Sequence, residues 1–301
     1  MKKIFVTGAT GHVGSAVVQE LLQSGYEVVA LARSDANEEK LKELGVKIHR
    51  GSLEDPASLR AAAAACDGVI HCAFNHDFSK FVENSQAETK AIEALGEALI
   101  GTNRPLIVTS SVALLSLGEA LLGTNRPVTE DYVRDENFPI PRDPETVTFS
   151  FVPKGVRAMV VRLPPTVHAK GDPGVVPQVI NSATKQGASA YIGEGLNRWP
   201  AVHRLDSAVI YRLALEKGVA GSRYHAIAEE GIPFKEIART ISEKLHLPLV
   251  SKPVEEAEQH FGFFGSFAKL DCPASSEKTR ASLGWEPKHP GLIRDMEENY
   301  F

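Results

Sequence analysis

Three glycines near the start of the chain have the spacing of a phosphate-binding turn. They are Gly8, Gly11 and Gly14 in the sequence TGATGHVG. The first glycine allows a tight turn, the second lets backbone N–H groups approach a pyrophosphate, and the third lets a helix pack closely on a strand. A helix N-terminus at this point would face the phosphates with its partial positive charge. The chemistry that the spacing predicts is binding of a dinucleotide, and a merely structural glycine turn is the alternative.

The residues on both sides of the glycines favour the dinucleotide. Residues 4–6 are an apolar run typical of a buried parallel strand, and after the turn Val13, Val17, Val18, Leu21 and Leu22 recur at helical spacing. The sequence therefore predicts a strand, a glycine turn and a helix, in the order that a dinucleotide-binding unit requires.

The residues after the second predicted strand, 27–32, indicate which dinucleotide is bound. An acidic residue at the tip of this strand would accept hydrogen bonds from the ribose of NAD. This chain has Arg33 and Ser34 there, followed by Asp35. Arginine offers a planar fork of donors that suits the 2′-phosphate of NADP, so NADP is the predicted cofactor. A solvated surface role for Arg33 is the alternative, and Asp35 also allows NAD.

Composition excludes several classes of protein. The chain has 301 residues, of which 43% are hydrophobic, and this suits one large α/β domain with a smaller lobe. Three cysteines without CxxC spacing argue against a disulfide framework or a zinc site and for a cytoplasmic location. A net charge of −5 without a basic run predicts no nucleic-acid partner, and the apolar run before the first glycine is too short for a secretory signal or a membrane span.

Predicted strands and helices alternate along the first half of the chain. Further strands are expected at 46–49, 68–73, 106–108 and 158–162, and helices at 37–44, 56–65 and 81–100. This alternation predicts an α/β fold of the Rossmann type, a doubly wound parallel sheet with ligands at the carboxyl ends of its strands. A further helix within 171–186, a short strand at 189–192 and a helix at 206–217, with Asp206 as its N-cap, are expected beyond the sheet.

Seven segments give the chain a family resemblance. They read TGATGHVG, GSLED, VIHCAF, VTSS, VRLPPTVHAKGD, AVHRLD and SSEKTRASLGWEPKHPGL. Together they resemble the extended short-chain dehydrogenase/reductase superfamily, in particular an atypical branch of NAD(P)-dependent epimerases, dehydratases and aldehyde reductases. The resemblance implies a Rossmann domain over residues 1–168, with a contribution from about 201–230, and a small C-terminal substrate lobe over 169–301.

The resemblance also implies where the cofactor lies. The predicted cofactor-binding residues are Gly8, Thr10, Gly11, His12, Val13, Gly14, Arg33, Ser34, Ser52, Leu53, Cys72, Ala73, Phe74, Thr109, Pro164 and Val167.

One departure from the family pattern concerns catalysis. Members carry a YxxxK pair on a long helix, in which the tyrosine gives the carbonyl its proton and the lysine lowers the pKa of that tyrosine. None of the six tyrosines has a lysine four residues on, and the expected window, 136–146, reads ENFPIPRDPET. Its prolines are poor interior residues for a helix, so the helix is predicted to be short.

Other donors must then serve the substrate carbonyl. Ser111 matches the active-site serine of the family by position, and it is predicted to donate a hydrogen bond to the carbonyl oxygen. His168 stands where many relatives have the tyrosine of a VYG sequence, and it is the predicted second catalytic residue, a proton donor that titrates near neutral pH. The alternatives are a loop histidine in a purely structural role, and a proton that comes from His203 or from water.

The predicted substrate site is less specific. Ser110 is the neighbour of the catalytic serine, while Trp199 and His203 lie in the run GLNRWPAVHRLD. Phe264 belongs to HFGFFGSF, a cluster that suits an apolar wall or a lid of the site, with a core or homodimer contact as the alternative. No metal site is predicted.

A segment of eleven residues occurs twice, as LGEALIGTNRP at 95–105 and as LGEALLGTNRP at 117–127. The first copy is predicted to close a helix and lead into a strand. The second is predicted to form a separate turn of helix and, from 123 to 127, an exposed loop, because tertiary context overrides local propensity.

Three functions fit these observations. The first is NADPH-linked reduction of a small-molecule carbonyl substrate, an aldehyde or a ketone. The second is an epimerase or dehydratase acting on a nucleotide sugar, whose diphosphate would need basic residues in the lobe, where Lys185, Arg198, Arg204 and Lys235 are scattered. The third is a non-catalytic redox sensor that binds NADP. The apolar character of the lobe favours the reductase.

Overall fold

Seven parallel strands form the central sheet of the protein. The structure is a computed structural model that describes residues 1–121, 123, 128–135 and 137–301. The sheet has the order β10-β6-β5-β4-β1-β2-β3. Its strands are β1 (Lys3–Thr7), β2 (Glu27–Ala32), β3 (Lys47–Arg50), β4 (Gly68–His71), β5 (Pro105–Ser111), β6 (Arg157–Leu163) and β10 (Arg223–His225). The strand order reverses between β1 and β4, which is where an open α/β sheet forms its ligand crevice.

Helices cover both faces of this sheet, as the doubly wound fold requires. The first six are α1 (His12–Gln23), α2 (Asp35–Lys42), α3 (Pro56–Ala64), α4 (Phe81–Glu97), α5 (Val112–Leu121) and α6 (Pro144–Phe149), and α8 (Arg204–Lys217) returns to the sheet later in the chain. Alternation along β1 serves the two faces: Ile4 and Val6 pack with α1 and α8, whereas Phe5 packs with α3 and α4. The predicted fold class is confirmed.

The remaining elements form a lobe beside the carboxyl edge of the sheet. A three-stranded sheet, in the order β11-β9-β7, consists of β7 (Thr166–His168), β9 (Arg198–His203) and β11 (Glu229–Pro233), and β8 (Ser189–Ile192) pairs in parallel with β12 (Leu249–Lys252). The helices here are α7 (Val175–Gln186), α9 (Phe234–Leu245), α10 (Ala257–Phe261), α11 (Gly265–Ala268) and α13 (Leu292–Asn299). Helix α12 (Glu277–Leu283) packs instead against α8 and β10 of the central sheet. Trp199, Phe234 and Phe261 are among the buried side chains of this lobe.

Several boundaries differ from the sequence prediction, among them the ends of β5 and the start of α8. The strand predicted at 106–108 extends from Pro105 to Ser111, because every residue from 105 to 111 pairs with β6. Helix α8 begins at Arg204 with His203 as its N-cap, so the prediction that Asp206 caps this helix is wrong. The Asp206 carboxylate instead accepts hydrogen bonds from the backbone N–H groups of Lys288 and His289.

The helix that should have carried the YxxxK pair is short, as predicted. It is α6, six residues long, with Asp143 as its N-cap and a proline in its first turn. The two copies of the duplicated segment also differ. Residues 95–97 close α4 and lead to β5, whereas 117–121 close α5, and the predicted loop at 123–127 lies outside the described residues except for the exposed Gly123.

Within the described ranges, none of the helices is both long and apolar enough to cross a membrane. The same ranges contain no cluster of three or more histidine, cysteine, aspartate or glutamate side chains that could hold a metal ion.

Candidate active site

The glycine turn lies at the crevice between β1 and β4 and has no room for side chains. Gly8 has a φ of +71°, and a Cβ atom there would lie 2.8 Å from the backbone nitrogen of Ala73. A Cβ atom on Gly14 would overlap the carbonyl group of Gly8, whose oxygen accepts a hydrogen bond of 2.9 Å from Gly11 N. Helix α1 starts here without a side-chain cap, so its first N–H groups are available to a phosphate. This cradle fits a dinucleotide pyrophosphate.

At the far end of the crevice, the residues after β2 carry the charges that would meet an adenosine ribose. Arg33 is exposed and forms neither a hydrogen bond nor an ion pair with the described part of the chain. Ser34 caps α2, accepting a hydrogen bond from Asn37 N. Asp35 pairs with Arg50 at 2.7 Å, and Arg50 ends the neighbouring strand opposite Ala32.

The carboxyl ends of β4 and β5 are tied together by hydrogen bonds. Thr109 Oγ1 donates to the carbonyl oxygen of His71 at 2.9 Å and lies 2.8 Å from the hydroxyl of Tyr211 on α8. Burial raises the pKa of the adjacent Cys72 thiol to about 12, so this cysteine stays protonated and is a packing residue. Cys72, Ala73 and Phe74 leave β4 directly beside the glycine turn, in the position predicted for cofactor contacts.

The two serines at the end of β5 have different surroundings. Ser110 is buried, and its hydroxyl donates to Glu145 Oε1 at 2.8 Å, so it acts as an anchor for α6. Ser111 is the last residue of β5, is partly exposed, and makes no side-chain hydrogen bond within the described residues. Among the described residues, the Ser111 hydroxyl therefore has no partner and can bind a ligand. The Ser110 hydroxyl already donates to Glu145, so it is not available for the predicted substrate contact.

Sequence reasoning did not select Arg142, which lies next to these strand ends. Its guanidinium forms a two-pronged ion pair with Glu88 of α4, with Nε and Nη2 at 2.7 and 2.6 Å from the carboxylate oxygens. It also stacks on Phe74, 4.2 Å from the ring centroid, and Nη2 lies 3.4 Å from the carbonyl oxygen of Thr109. The only available signal was an arginine inside the proline-rich window that replaces the YxxxK helix.

His168 belongs to a buried cluster. Its ring is fully buried, and Nδ1 lies 2.7 Å from a carboxylate oxygen of Asp295 on α13. The ring of His203 lies 5.4 Å away and stacks on His289 at 4.6 Å. Burial and these two neighbouring histidines lower the pKa of His203 to about 4, so it is neutral and a weak proton source near pH 7. The His168 ring is enclosed by protein and has no surface on the cleft. The prediction that His168 donates the proton directly is corrected for this reason.

Two other residues that were predicted to contact the substrate, Trp199 and Phe264, pack in the lobe, and for Phe264 a core contact was the alternative. Trp199 is almost completely buried in the lobe, edge-on to Phe234 at 4.8 Å, which makes it a core residue and corrects its placement on the pocket wall. Phe264 packs partly on the lobe core. The neighbouring Phe263 is exposed, and its ring lies 5.4 Å from that of Phe78, in the segment after β4.

The remaining predicted cofactor residues lie around the glycine turn and the strand ends. Thr10 and Val13 are partly buried in the turn and at the start of α1, and His12 Nε2 lies 3.0 Å from the carbonyl oxygen of Val167, which connects the turn to β7. Beyond β3, Ser52 Oγ accepts a hydrogen bond from Glu54 N, and Leu53 packs under the sheet. Pro164 follows β6 and is buried.

Comparison with known proteins assigns this architecture to a class. Residues 8–137 match a family model described as NAD(P)H-binding. The chain is 50% identical to the uncharacterized protein C2A9.02 of Schizosaccharomyces pombe, over 98% of each chain, and 46% identical to the uncharacterized protein YLL056C of Saccharomyces cerevisiae, over 99% of each. It is 26% identical to the 2-alkyl-3-oxoalkanoate reductase of Stenotrophomonas maltophilia, over 84% of this chain and 78% of that one.

Solved structures share the fold. The crystal structure of gox2253 superimposes with a TM-score of 0.77 at 24% identity, covering 100% of this chain and 97% of that one. The dTDP-glucose 4,6-dehydratase DesIV of Streptomyces venezuelae, solved with NAD bound, gives a TM-score of 0.74 at 18% identity, covering 99% and 97%. The protein is thus an NAD(P)-binding protein with a Rossmann fold. It belongs to one family with the uncharacterized proteins C2A9.02 and YLL056C. Parts of the chain are also similar to proteins named as a dehydrogenase and as reductases, and proteins named as dehydratases and epimerases share its fold.

Proposed function

We propose that the protein is an NADPH-linked reductase of small aldehydes or ketones. The observation that carries the proposal is the Ser111 hydroxyl, which has no partner among the described residues, at the end of β5 and next to β4, whose end lies against the glycine turn. When bound, the nicotinamide supplies a hydride ion to the carbonyl carbon. Ser111 donates a hydrogen bond to the carbonyl oxygen, on which negative charge then develops.

The charges after β2 support NADPH as the cofactor. Arg33 has a free guanidinium at the adenosine end of the crevice, whereas the nearby carboxylate of Asp35 is engaged by Arg50. A 2′-phosphate would accept hydrogen bonds from Arg33, and Asp35 is less available to the ribose hydroxyls of NAD.

The lobe favours an apolar substrate over a nucleotide sugar. Phe263 and Phe78 meet across the space between the lobe and the segment after β4. Two of the basic residues that might have held a diphosphate are engaged: Arg198 forms a two-pronged pair with Asp271, and Lys235 lies over the ring of Tyr191. The similarity to a relative named for reduction of a 2-alkyl-3-oxoalkanoate supports the same choice.

The test is a turnover assay with NADPH across a panel of aliphatic and aromatic aldehydes and ketones, with nucleotide sugars as the competing class. We expect slow reduction of reactive aldehydes, since general acid catalysis by a tyrosine is typically worth about 10² to 10⁴ in rate and this chain lacks that tyrosine. Ser111→Ala should reduce the rate markedly and leave NADPH affinity unchanged, while Ser116→Ala, a buried serine of α5 away from the strand end, is the matched control.

Two results would replace the proposal. NADPH binding without turnover of any carbonyl favours the non-catalytic sensor, for which the shortened α6 is the supporting observation. Turnover of a nucleotide sugar, with aldehydes left unreduced, favours the epimerase or dehydratase.

A further inference from the structure

Arg142 lies in the part of the chain where family members carry the YxxxK helix, which this chain lacks. It lies two residues before α6, between α4 and the end of β5, and its guanidinium contacts Glu88, Phe74 and the carbonyl oxygen of Thr109. Only 8% of the side chain is exposed, so the ion pair with Glu88 and the stack on Phe74 hold the group in one orientation. A cation is therefore fixed at the carboxyl ends of β4 and β5.

Part of this guanidinium has no partner within the described ranges of the chain. Nε and Nη2 donate to Glu88, whereas Nη1 donates to no acceptor among the described residues and is not among their enclosed, unsatisfied atoms. Arg142 and Ser111 line the same small cavity, which also includes Leu114 and Phe138. Two side chains, each with a hydrogen-bond donor that has no acceptor among the described residues, thus line one cavity.

The charged side chains that line this cavity are paired, Arg134 with Asp143, Glu145 with Arg162 and Arg142 with Glu88. This pairing selects the kind of ligand. Burial raises the pKa of Glu88, but the adjoining guanidinium opposes that rise, and the short two-pronged contact fits an ionised carboxylate. Because Glu88 offsets the charge of Arg142, the free Nη1 suits an oxygen that is neutral in the ground state and becomes negative during reaction. A carbonyl oxygen behaves in this way.

We propose that Arg142 Nη1 and Ser111 Oγ together donate hydrogen bonds to the substrate carbonyl oxygen, and that Arg142 takes over the electrostatic role of the missing tyrosine. This inference rests on the proposed reductase function. The carbonyl π bond breaks as a C–H bond forms with the electron pair of the hydride, so the carbonyl is reduced and the nicotinamide nucleotide is oxidised. The negative oxygen is stabilised by Arg142 and Ser111, and water supplies the proton that completes the alcohol.

The proposed role differs from that of a tyrosine in one measurable respect. A guanidinium keeps its proton in proteins, so it stabilises charge without acting as an acid. Glu88 is a positioning residue, because it holds the guanidinium of Arg142 in place and does not itself line the cavity. The rate of hydride transfer should therefore be independent of pH between about 6 and 9, in contrast to a site with a titrating acid.

The experiment compares the parent protein with Arg142→Gln, Arg142→Lys and the control Arg60→Gln, which removes an exposed arginine paired with Glu97. Calorimetry measures NADPH affinity and then the affinity of the NADPH complex for benzamide, a carbonyl compound that the cofactor does not reduce. Single-turnover reduction of an aldehyde follows, with and without added methylguanidine, over the pH range.

We expect unchanged NADPH affinity in all four proteins. Benzamide binding should weaken about tenfold or more in both Arg142 variants, as for the loss of a hydrogen bond to a charged group, and stay unchanged in Arg60→Gln. Hydride transfer should slow by at least the same factor in both Arg142 variants. In the parent protein its rate should not change with pH, and in Arg142→Gln added methylguanidine should restore part of the rate. If Arg142→Gln fails to bind NADPH, the test rests on benzamide binding and hydride transfer in Arg142→Lys, which keeps a cation beside Glu88.

Several results separate this inference from the reductase proposal. Reduction and benzamide binding that persist unchanged in the Arg142 variants overturn the role of Arg142 and leave the reductase intact. Benzamide binding that depends on Arg142, in a protein that reduces no carbonyl, supports the donor pair and overturns the reductase. If the parent NADPH complex neither binds benzamide nor reduces an aldehyde, both are wrong.

Discussion

At the residue scale, the candidate cofactor site depends both on glycines, which have no side chain, and on one long charged side chain. Gly14 lets α1 approach the carbonyl group of Gly8, and Gly8 lets the turn approach the end of β4. Arg33 contributes the opposite property, a long charged side chain without a partner in the described part of the chain. We therefore expect the geometry of the turn to accommodate the pyrophosphate, and the charge at the end of β2 to attract the adenosine end of the cofactor.

Replacing Arg33 should change the choice of cofactor. We expect the parent to bind NADPH more tightly than NADH, and Arg33→Ala to lose about 1 to 3 kcal/mol of NADPH binding through missing charge-assisted hydrogen bonds. NADH affinity should stay nearly constant. Calorimetry with both nucleotides checks this, with Arg239→Ala in the lobe as the control. Equal affinities of the parent for the two nucleotides would contradict the assignment.

A methyl group at Gly14 should abolish cofactor binding. The added Cβ atom has no space beside the Gly8 carbonyl, so α1 must move away from β1 and the turn loses its shape. Ser15→Ala, which removes only a weak hydrogen bond to the carbonyl oxygen of His12, is the matched control. Fluorescence titration with NADPH should show binding in Ser15→Ala and none in Gly14→Ala. Normal binding in Gly14→Ala would mean that the pyrophosphate lies elsewhere.

At the element scale, a buried network of hydrogen bonds and ion pairs attaches the short α6 to the sheet. Family members have the longer YxxxK helix in this part of the chain. Glu145, near the start of α6, accepts hydrogen bonds from Ser110 of β5, from Arg162 of β6 and from Arg223 of β10. Arg162 is fully buried and also donates to the carbonyl oxygens of Thr129 and Tyr132. Burial alone would raise the pKa of Glu145, but the two guanidiniums hold it below its usual value, so the carboxylate is ionised.

Removing the charge of Glu145 should destabilise the protein strongly. Breaking one side of a buried ion pair typically costs about 3 to 5 kcal/mol, because the remaining charge stays buried without compensation. We expect a loss of that size in the free energy of unfolding of Glu145→Gln, measured with urea. Glu97→Gln, which breaks an exposed pair with Arg60, should change it by less than about 1 kcal/mol. Similar effects of the two substitutions would refute the role of the network.

At the scale of the whole molecule, buried histidines couple folding to pH. Burial, with a smaller effect of Arg142, lowers the pKa of His71 to about 3, and burial together with Arg162 lowers that of His225 to about 4. Both rings are therefore neutral in the folded protein near pH 5, whereas an unfolded chain protonates them below its ordinary pKa of 6.5. Since the unfolded state binds more protons in this window, stability is full above pH 6.5 and falls as the pH decreases towards 4.

The pH dependence should become shallower when one of these histidines is replaced. Each such histidine contributes up to about 1.4 kcal/mol per pH unit within the window. His71→Asn can keep a hydrogen bond to Thr7, which His71 Nδ1 contacts at 2.7 Å, and it does not titrate. Urea unfolding at pH 7.5, 6 and 5 should show a smaller loss of stability in the variant than in the parent, whatever its stability at pH 7.5. Parallel curves would exclude His71 as the source.

The sequence alone determined the fold class and the cofactor turn. Strand and helix periodicity, and the spacing of Gly8, Gly11 and Gly14, are properties of neighbouring residues, so they can be read without knowing which distant segments meet. The absence of YxxxK and the shortness of α6 were predictable for the same reason, because proline limits a helix locally.

The tertiary structure decided which side chains meet. Arg142 and Glu88 are 54 residues apart, and His168 and Asp295 are 127 apart. Local patterns carry no information on such pairs, which depend on how helices and loops pack against the sheet. Packing therefore placed His168 and Trp199 in the interior and engaged Ser110 with Glu145, although their positions along the chain had suggested a cleft. It also left Ser111 and Arg142 lining the same cavity.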